Sequence, residues 1–248
     1  MRALGLAFSW LTVLPIGGPA DVDRAAASRA IAAAPVVGVV LGLAATGLLF
    51  GAVQVGWPVE LAALATVAAL ALLTRGMHLD GLADTFDGLG CYGPPERARA
   101  VMRSGGAGPF GVAAIVFAIA AETFAFAASA DVGRWWAVAL AVVAGRVTVV
   151  LACRAGVVAA PGSSFGALVA GTQRWWVGVA WLVALVAASV FATERPWLGP
   201  VAVLVSTGLA LLLAAHCVRR FGGLSGDVLG ATIEITTTVC AALTCARG

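Results

Sequence analysis

Long apolar runs separated by short polar loops dominate the chain, and this pattern sets the expected fold. The runs lie at about residues 31–55, 60–74, 110–130, 135–155, 175–193, 197–217 and 228–245. A membrane-spanning helix needs roughly 20 mostly apolar residues, whereas barrel strands would alternate between apolar and polar positions. The pattern therefore predicts an all-α, polytopic transmembrane helix bundle of about seven spans. Ala3 to Leu14 precedes it as a short apolar segment that is tilted, re-entrant or interfacial.

The amino-acid composition agrees with a helix bundle in a lipid bilayer. Hydrophobic residues make up 61% of the 248 residues and charged residues 11%, against about 25% charged in soluble domains. We therefore expect one integral membrane domain over residues 1–248, and a homo-oligomer is compatible with it. The net charge of +3 is too small and scattered to indicate nucleic acid as a partner. The five cysteines contain no CxxC pair, so we interpret them as small buried hydrophobic residues.

The distribution of arginines predicts how the bundle is oriented. If the run at 31–55 starts on the inner side, the inner loops carry ten arginines and the outer ends three. Basic residues accumulate in cytoplasmic loops. Residues 75–108 and 219–227 would therefore both lie at the cytoplasmic face of the cell membrane, and a site built from these two polar segments would be cytoplasmic.

The first polar segment carries three aspartates at helical spacing. Asp80, Asp84 and Asp87 occupy positions i, i+4 and i+7, which places them within roughly 60° of one another on a helix. Three like charges so close repel one another unless a cation lies between them. Carboxylate oxygens suit Mg²⁺, which usually also binds substrate phosphates. The alternative is a solvated acidic face; the small number of acidic residues in the chain, 12, favours the metal.

The second polar segment is a glycine-rich turn, Phe221 to Asp227, just before the last apolar run. Backbone N–H groups in such a turn, next to a helix N-terminus, favour phosphate, which makes Ser225 and Gly226 candidate substrate-binding residues. Asp227 is either the N-cap of the last helix or a metal ligand. Glu234 lies seven residues later on the same helix face. An ionisable residue at that depth in a span usually faces a polar cavity.

Two further charges fall inside predicted spans. Glu122 and Arg146 lie in consecutive apolar runs, at comparable distances from the turn that joins them. They would form a structural ion pair, or Arg146 would point into the site and bind a phosphate.

The motifs in these two segments carry a resemblance to a known family. The run G-x-H-L-D-G-L-A-D-x-x-D-G at residues 76–88 and the run G-D-x-L-G-A-x-I-E at residues 226–234 resemble the two signatures of the cobalamin synthases, the adenosylcobinamide-GDP ribazoletransferases. The resemblance also includes Met102-Arg103 and Arg146 and spans nearly the whole chain. It is interrupted at Val13 and at residues 104–106, where family members usually carry polar residues.

The resemblance implies a bacterial inner-membrane enzyme of cobalamin (vitamin B12) biosynthesis. Such an enzyme joins adenosylcobinamide-GDP to α-ribazole or α-ribazole 5′-phosphate, releases GMP and needs Mg²⁺. Asp80, Asp84 and Asp87 would hold the metal against the pyrophosphate. Asp227 or Glu234 would complete its ligand shell.

The same reaction assigns roles to other residues. Arg103, Arg146 and Arg75 would bind phosphate oxygens. The candidate catalytic residues are Asp84, His78 and Arg146. His78 or an aspartate would take the proton of the attacking hydroxyl, and a capping or structural role for His78 is an equal alternative.

Two other functional classes are weaker alternatives. A CDP-alcohol phosphotransferase acting on lipids would carry an arginine where this chain has Asp84. A small-solute transporter would use the charges inside the spans, but its site would lie near the midplane and an inverted repeat is not visible.

Overall fold

The structure is a computed structural model that describes residues 2–16 and 21–246, and it confirms the predicted all-α architecture. The described residues form these helices: α1 Arg2–Leu11, α2 Arg24–Ala32, α3 Ala34–Gln54, α4 Val59–Leu73, α5 Met77–Gly90, α6 Pro95–Met102, α7 Pro109–Asp131, α8 Trp135–Ala152, α9 Ser164–Val169, α10 Trp175–Ser189, α11 Leu198–Phe221 and α12 Gly226–Thr244. Each of the seven apolar runs is helical. Arg247, one of the three arginines counted at the outer ends, lies outside the described residues.

The number of helices long enough to cross a membrane is five among the described residues, or six if α4 and α5 count as one broken span. The predicted count of seven is therefore not confirmed. The difference comes from two short helices, since α4 and α10 have 15 residues each, about 22 Å at 1.5 Å per residue. Helix α4 stops because Arg75 and Gly76 adopt left-handed backbone conformations, with φ of 57° and 67°.

Helix α8 lies at the centre of the bundle and is almost entirely buried, with α3, α10, α11 and α12 packed around it. Small residues let α3 approach it closely. A Cβ added to Gly38 would lie 3.1 Å from Arg146 Cβ, and one added to Gly42 would lie 2.9 Å from the Ala139 carbonyl oxygen. Gly47 of the same helix faces open space.

Helix α5 turns 88° away from α4 and crosses the N-terminal ends of α7 and α12. A Cβ on Gly81 would lie 2.7 Å from the carbonyl oxygen of Asp227, in the first turn of α12. Near its other end, Asp87 contacts the first residues of α7. Helix α5 therefore runs across the first turns of α7 and α12, with Asp87 beside α7 and Gly81 beside Asp227.

The segment at 156–171, which joins two of the apolar runs, contains the short helix α9 with Ser163 as its N-cap. It also pairs with the glycine-rich turn. The Leu224 N–H donates to the Val158 carbonyl at 2.8 Å, and the Ala160 N–H donates to the Leu224 carbonyl at 2.9 Å. A Cβ on Gly223 would lie 2.2 Å from the Ala159 carbonyl carbon, so glycine is needed there for chain packing.

Candidate active site

Two cavities meet at the first turn of α12. The smaller one, which we call the arginine cavity, has a volume of about 220 Å³. It is lined by Arg99, Arg103, residues 160–165, Ser225, Gly226 and Asp227. The larger one, the apolar cavity, has a volume of about 440 Å³ and shares Phe165, Gly226 and Asp227 with the first. A ligand in either cavity would therefore lie beside the Asp227 carboxylate.

The apolar cavity lies between α1, α2, α8, α9 and α12. Its walls are mainly Trp10, Leu11, Ile31, Met77, Val149, Phe165, Leu229, Gly230 and Ile233. Four charged or titratable side chains complete the lining: Arg75, His78, Asp80 and Asp227. A few polar groups in an otherwise apolar cavity of this size are typical of small-molecule sites.

Asp227 lines both cavities and Asp80 lines the apolar cavity, and the charges of both act on a third carboxylate, that of Asp84. Asp80 and Asp84 come from α5, and Asp227 comes from the first turn of α12, where the Ser225 hydroxyl donates to its Oδ2 at 3.2 Å. Ser225 is also the N-cap of α12, so Asp227 is not needed for that role. Burial, followed by the negative charges of Asp80 and Asp227, raises the pKa of Asp84 to about 6. These groups therefore repel one another and attract cations.

The surroundings of Asp80, Asp84 and Asp227 bear on whether they suit a divalent cation. In the part of the chain that the structure describes, three or more His, Cys, Asp or Glu side chains are not grouped closely enough to hold a metal ion by themselves. Mg²⁺, however, is usually held by one or two carboxylates together with waters and substrate phosphates. One or two carboxylates from Asp80, Asp84 and Asp227 would fit such a site, with waters and a phosphate-bearing substrate supplying the remaining ligands.

Asp87, the third aspartate of the predicted trio, has different partners. Its Oδ2 accepts a hydrogen bond from the Gly108 N–H at 2.6 Å and its Oδ1 accepts one from the Gly111 N–H at 2.9 Å. Both donors belong to the start of α7, whose first N–H groups lack partners within the helix. Asp87 thus caps α7 from α5. Backbone N–H groups engage both of its oxygens, although its charge also contributes to raising the pKa of Asp84.

Glu234 also lies apart from that group, in what we call the buried ionisable cluster of His78, Glu122, Arg146 and Glu234. These side chains line a cavity of about 20 Å³, enough for about one water molecule. His78 Nδ1 lies 3.8 Å from Glu234 Oε1 and 3.5 Å from Arg146 Nη2. Glu122 accepts a hydrogen bond from the Thr238 hydroxyl at 2.9 Å.

Arg146 lies in the buried ionisable cluster, next to both Glu122 and Glu234. Its guanidinium donates to the Val142 carbonyl at 3.2 Å and is attracted by both Glu234 and Glu122. It therefore belongs to a buried network and not to a simple pair with Glu122. It lines the small cavity of the cluster and reaches the larger cavities only through His78, which lines both.

The predicted arginines at the site differ in their contacts. Arg103 is exposed and lines the arginine cavity. Arg75 lines the apolar cavity, and its guanidinium donates to the carbonyls of Ser9 and Trp10 at 3.1 and 3.2 Å, which fixes the end of α1. Arg99, which was not among the predicted site residues, also lines the arginine cavity; it lies in α6, four residues before Arg103, the C-cap of that helix.

Known proteins resemble this chain over most of its length. A family model described as cobalamin-5-phosphate synthase matches residues 3–245. A relative from Corynebacterium efficiens is 38% identical over 95% of this chain and 88% of its own length, and one from Frankia casuarinae is 38% identical over 93% and 89%. Both are named adenosylcobinamide-GDP ribazoletransferase. The comparison with solved structures found no significant match.

The helices, and the cluster of acidic and basic side chains at their ends, define a multi-pass membrane protein with a charged site where α5 meets α12. The family model matches nearly the whole chain, residues 3–245, and this extent shows the family to which the chain belongs. The chain belongs to the cobalamin-5-phosphate synthase family, which confirms the resemblance seen in the two motifs. Its relatives carry the name of a transferase, in agreement with the prediction of an enzyme of this class.

Proposed function

We propose that this protein joins adenosylcobinamide-GDP to α-ribazole, or to α-ribazole 5′-phosphate, and releases GMP. Family membership over residues 3–245 supports this activity. The observation that carries it is the position of Asp227, which lies between a cavity lined by arginines and a larger apolar cavity. A transferase with one pyrophosphate-bearing substrate and one nucleoside substrate needs this combination. We place the reaction at the cytoplasmic face of the bacterial inner membrane, as the arginine distribution predicts.

The proposed reaction is a displacement at phosphorus. The ribazole 3′-hydroxyl oxygen forms a bond to the phosphorus that carries the cobinamide arm. The bond from that phosphorus to the oxygen bridging to GMP breaks, and its electron pair leaves with GMP. The hydroxyl proton goes to a base at the site. His78, which lines the apolar cavity, and the carboxylates near Asp227 are the candidates for this base.

Asp80, Asp84 and Asp227 are the residues that would hold Mg²⁺, with the substrate pyrophosphate completing the ligand shell. When bound, the ion would neutralise charge that develops on the phosphate oxygens. Asp87 and Glu234, predicted from sequence as further ligands, are not included in this proposal, because one caps α7 and the other lies in the buried ionisable cluster.

Arg103 and Arg99 would bind the phosphates of the nucleotide end. Both line the arginine cavity, and Arg99 is held in place because its guanidinium donates to the Phe221 carbonyl at 2.8 Å. Two guanidinium groups suit phosphate oxygens because they offer several donors in a fixed plane. Ser225 and Gly226 lie in the same wall. Arg146 would act indirectly, by positioning His78.

The test is to replace Asp84 with Asn and to measure GMP release from adenosylcobinamide-GDP and α-ribazole with Mg²⁺. We expect a loss of about 100-fold or more, as for removal of a group that stabilises transition-state charge. Asp21→Asn is the matched control, since Asp21 is exposed and lies ahead of α2. A wild-type protein that releases no GMP would refute the activity, and wild-type turnover in Asp84→Asn would refute the metal role.

A further inference from the structure

The apolar cavity has a wall of buried side chains and opens beside charged ones. Four of its wall residues, Ile31, Val149, Leu229 and Ile233, are at most 3% exposed, whereas Arg75 and Asp80, which also line it, are exposed. An apolar groove between α3, α8 and α10 differs, since it includes Trp136 and Phe191, which are 63% and 82% exposed. The buried apolar wall of the first cavity, and its volume of about 440 Å³, suit a small molecule with a large apolar part.

Two aromatic rings in this cavity come from helices outside the acidic motifs. Trp10 belongs to α1 and Phe165 to α9, and their ring centroids lie 5.1 Å apart at an interplanar angle of 66°. An edge-to-face pair leaves ring surface on which a heteroaromatic base can stack. Arg75 holds the Trp10 carbonyl, and it does so from a left-handed conformation that non-glycine residues seldom adopt. The position of Trp10 is thereby tied to the start of α5.

The two cavities have opposite chemistry on either side of Asp227. Arg99, Arg103 and Ser163 give the arginine cavity donors for an anion. The apolar cavity offers aromatic and aliphatic walls with a few polar groups, among them Asp80 and His78. A nucleoside has the matching division, with an apolar base and a ribose that carries hydroxyls.

From these observations we propose that the apolar cavity binds the heteroaromatic base and ribose of the acceptor nucleoside, and that the arginine cavity binds the nucleotide end of the donor. This assignment rests on the proposed ribazoletransferase function. It makes Trp10, on the N-terminal helix α1, a binding residue for the acceptor. It also brings the acceptor hydroxyl and the donor pyrophosphate together beside Asp227, which both cavities share.

The experiment compares Trp10→Ala with Arg103→Ala in the purified full-length protein. Loss of one base-stacking ring costs about 1–3 kcal/mol, so we expect Trp10→Ala to raise the KM for α-ribazole about tenfold, with the KM for adenosylcobinamide-GDP within twofold. Arg103→Ala should give the reverse pattern. Trp10→Phe should retain most of the acceptor affinity, and Trp57→Ala, at the turn after α3, is the control for loss of a tryptophan.

Calorimetric titration of α-ribazole into donor-free protein measures acceptor binding without turnover. We expect the same tenfold weakening in Trp10→Ala, and unchanged binding in Arg103→Ala. Equal changes in both KM values, or a donor-specific change in Trp10→Ala, would overturn the assignment while leaving the activity in place. A wild-type protein that binds α-ribazole but releases no GMP would instead refute the proposed function. If Trp10→Ala does not fold, Ile31→Trp decides. Because the larger ring fills the cavity, it should weaken the binding of α-ribazole about tenfold, and unchanged binding would overturn the assignment.

Discussion

Carboxylates occur in two regions of this bundle, and they differ in how their charge is compensated. Asp80 and Asp84 lie in the first and middle turns of α5 and Asp227 lies in the first turn of α12, where their charges act on one another. Glu122 and Glu234 lie within α7 and α12, next to Arg146 and His78. The inner pair has a cation supplied by the chain itself. In the described residues, ion pairs involve glutamates and none involves the three aspartates.

This difference separates the aspartates, which suit a ligand, from the buried ionisable cluster, whose charges are compensated within the protein. Charges buried in the bundle are costly unless they are paired and hydrogen-bonded, and the buried ionisable cluster meets that need within the protein. Asp80, Asp84 and Asp227 are exposed or half-buried and repel one another. A cation that arrives with a substrate would relieve this repulsion. The predictions below test whether the two groups differ in this way.

The largest effect is expected from Arg146→Met, which removes the cation of the buried ionisable cluster. Breaking a buried charge network by deleting one partner typically costs about 3–5 kcal/mol. Arg146→Met should therefore be expressed poorly or melt many degrees below the wild type in detergent. The double variant Arg146→Met with Glu234→Gln should recover part of the loss, because it removes the charge left without a partner. A wild-type melting temperature in Arg146→Met would contradict the role of the cluster.

The next effect concerns activity and not stability. Asp80→Asn should reduce GMP release about 100-fold while the melting temperature stays equal to or above that of the wild type, since one repelling charge is gone. Thermal melting and turnover are measured on the same preparation. Glu60→Gln, an exposed change in the first turn of α4, is the control. A loss of stability in step with activity would show that Asp80 is structural and would remove the contrast between the two groups.

Asp87 divides the two groups, because it belongs to the acidic motif but serves as a helix cap. Asp87→Ala removes two hydrogen bonds to the start of α7 and should cost about 1–2 kcal/mol of stability. Asp87→Asn keeps one acceptor oxygen and should cost less. Both variants should retain the affinity for Mg²⁺, measured by activation of GMP release. A loss of Mg²⁺ activation with unchanged stability would restore Asp87 to the metal site predicted from sequence.

The helices could be predicted from the sequence, but the contacts between them could not. The apolar runs predicted every helix that crosses the bundle, because burial in lipid imposes a long uniform pattern. The spacing of Asp80 and Asp84 correctly placed both on one helix, but helical spacing does not reveal what the neighbouring element supplies. The backbone donors at Gly108 and Gly111 that engage Asp87 come from a helix more than 20 residues away, and sequence alone gives no sign of that contact.

The apolar cavity could not be predicted from the sequence, for a related reason. Trp10 and Phe165 are separated by most of the chain, and each lies in a segment without a motif. The short helix α9 that carries Phe165 has six residues, too few to show a clear helical period in the sequence. Its position is fixed by hydrogen bonds between residues 158–160 and Leu224. Contacts of this kind depend on the folded bundle and on no local pattern.

The smallest and sharpest test is the pH dependence of stability at Asp84. Its pKa rises from 3.8 to about 6 in the folded protein because of burial and neighbouring carboxylates, so the folded state binds the proton more tightly than the unfolded state does. Metal-free protein should therefore lose stability as the pH rises from about 4 to above 6, since this raised pKa favours folding only while Asp84 is protonated. Asp84→Asn should flatten that slope in thermal melts. Mg²⁺ should raise the melting temperature of the wild type at pH 7 more than at pH 5, because protons compete with the cation. An equal effect of Mg²⁺ at both pH values would place its binding away from Asp84.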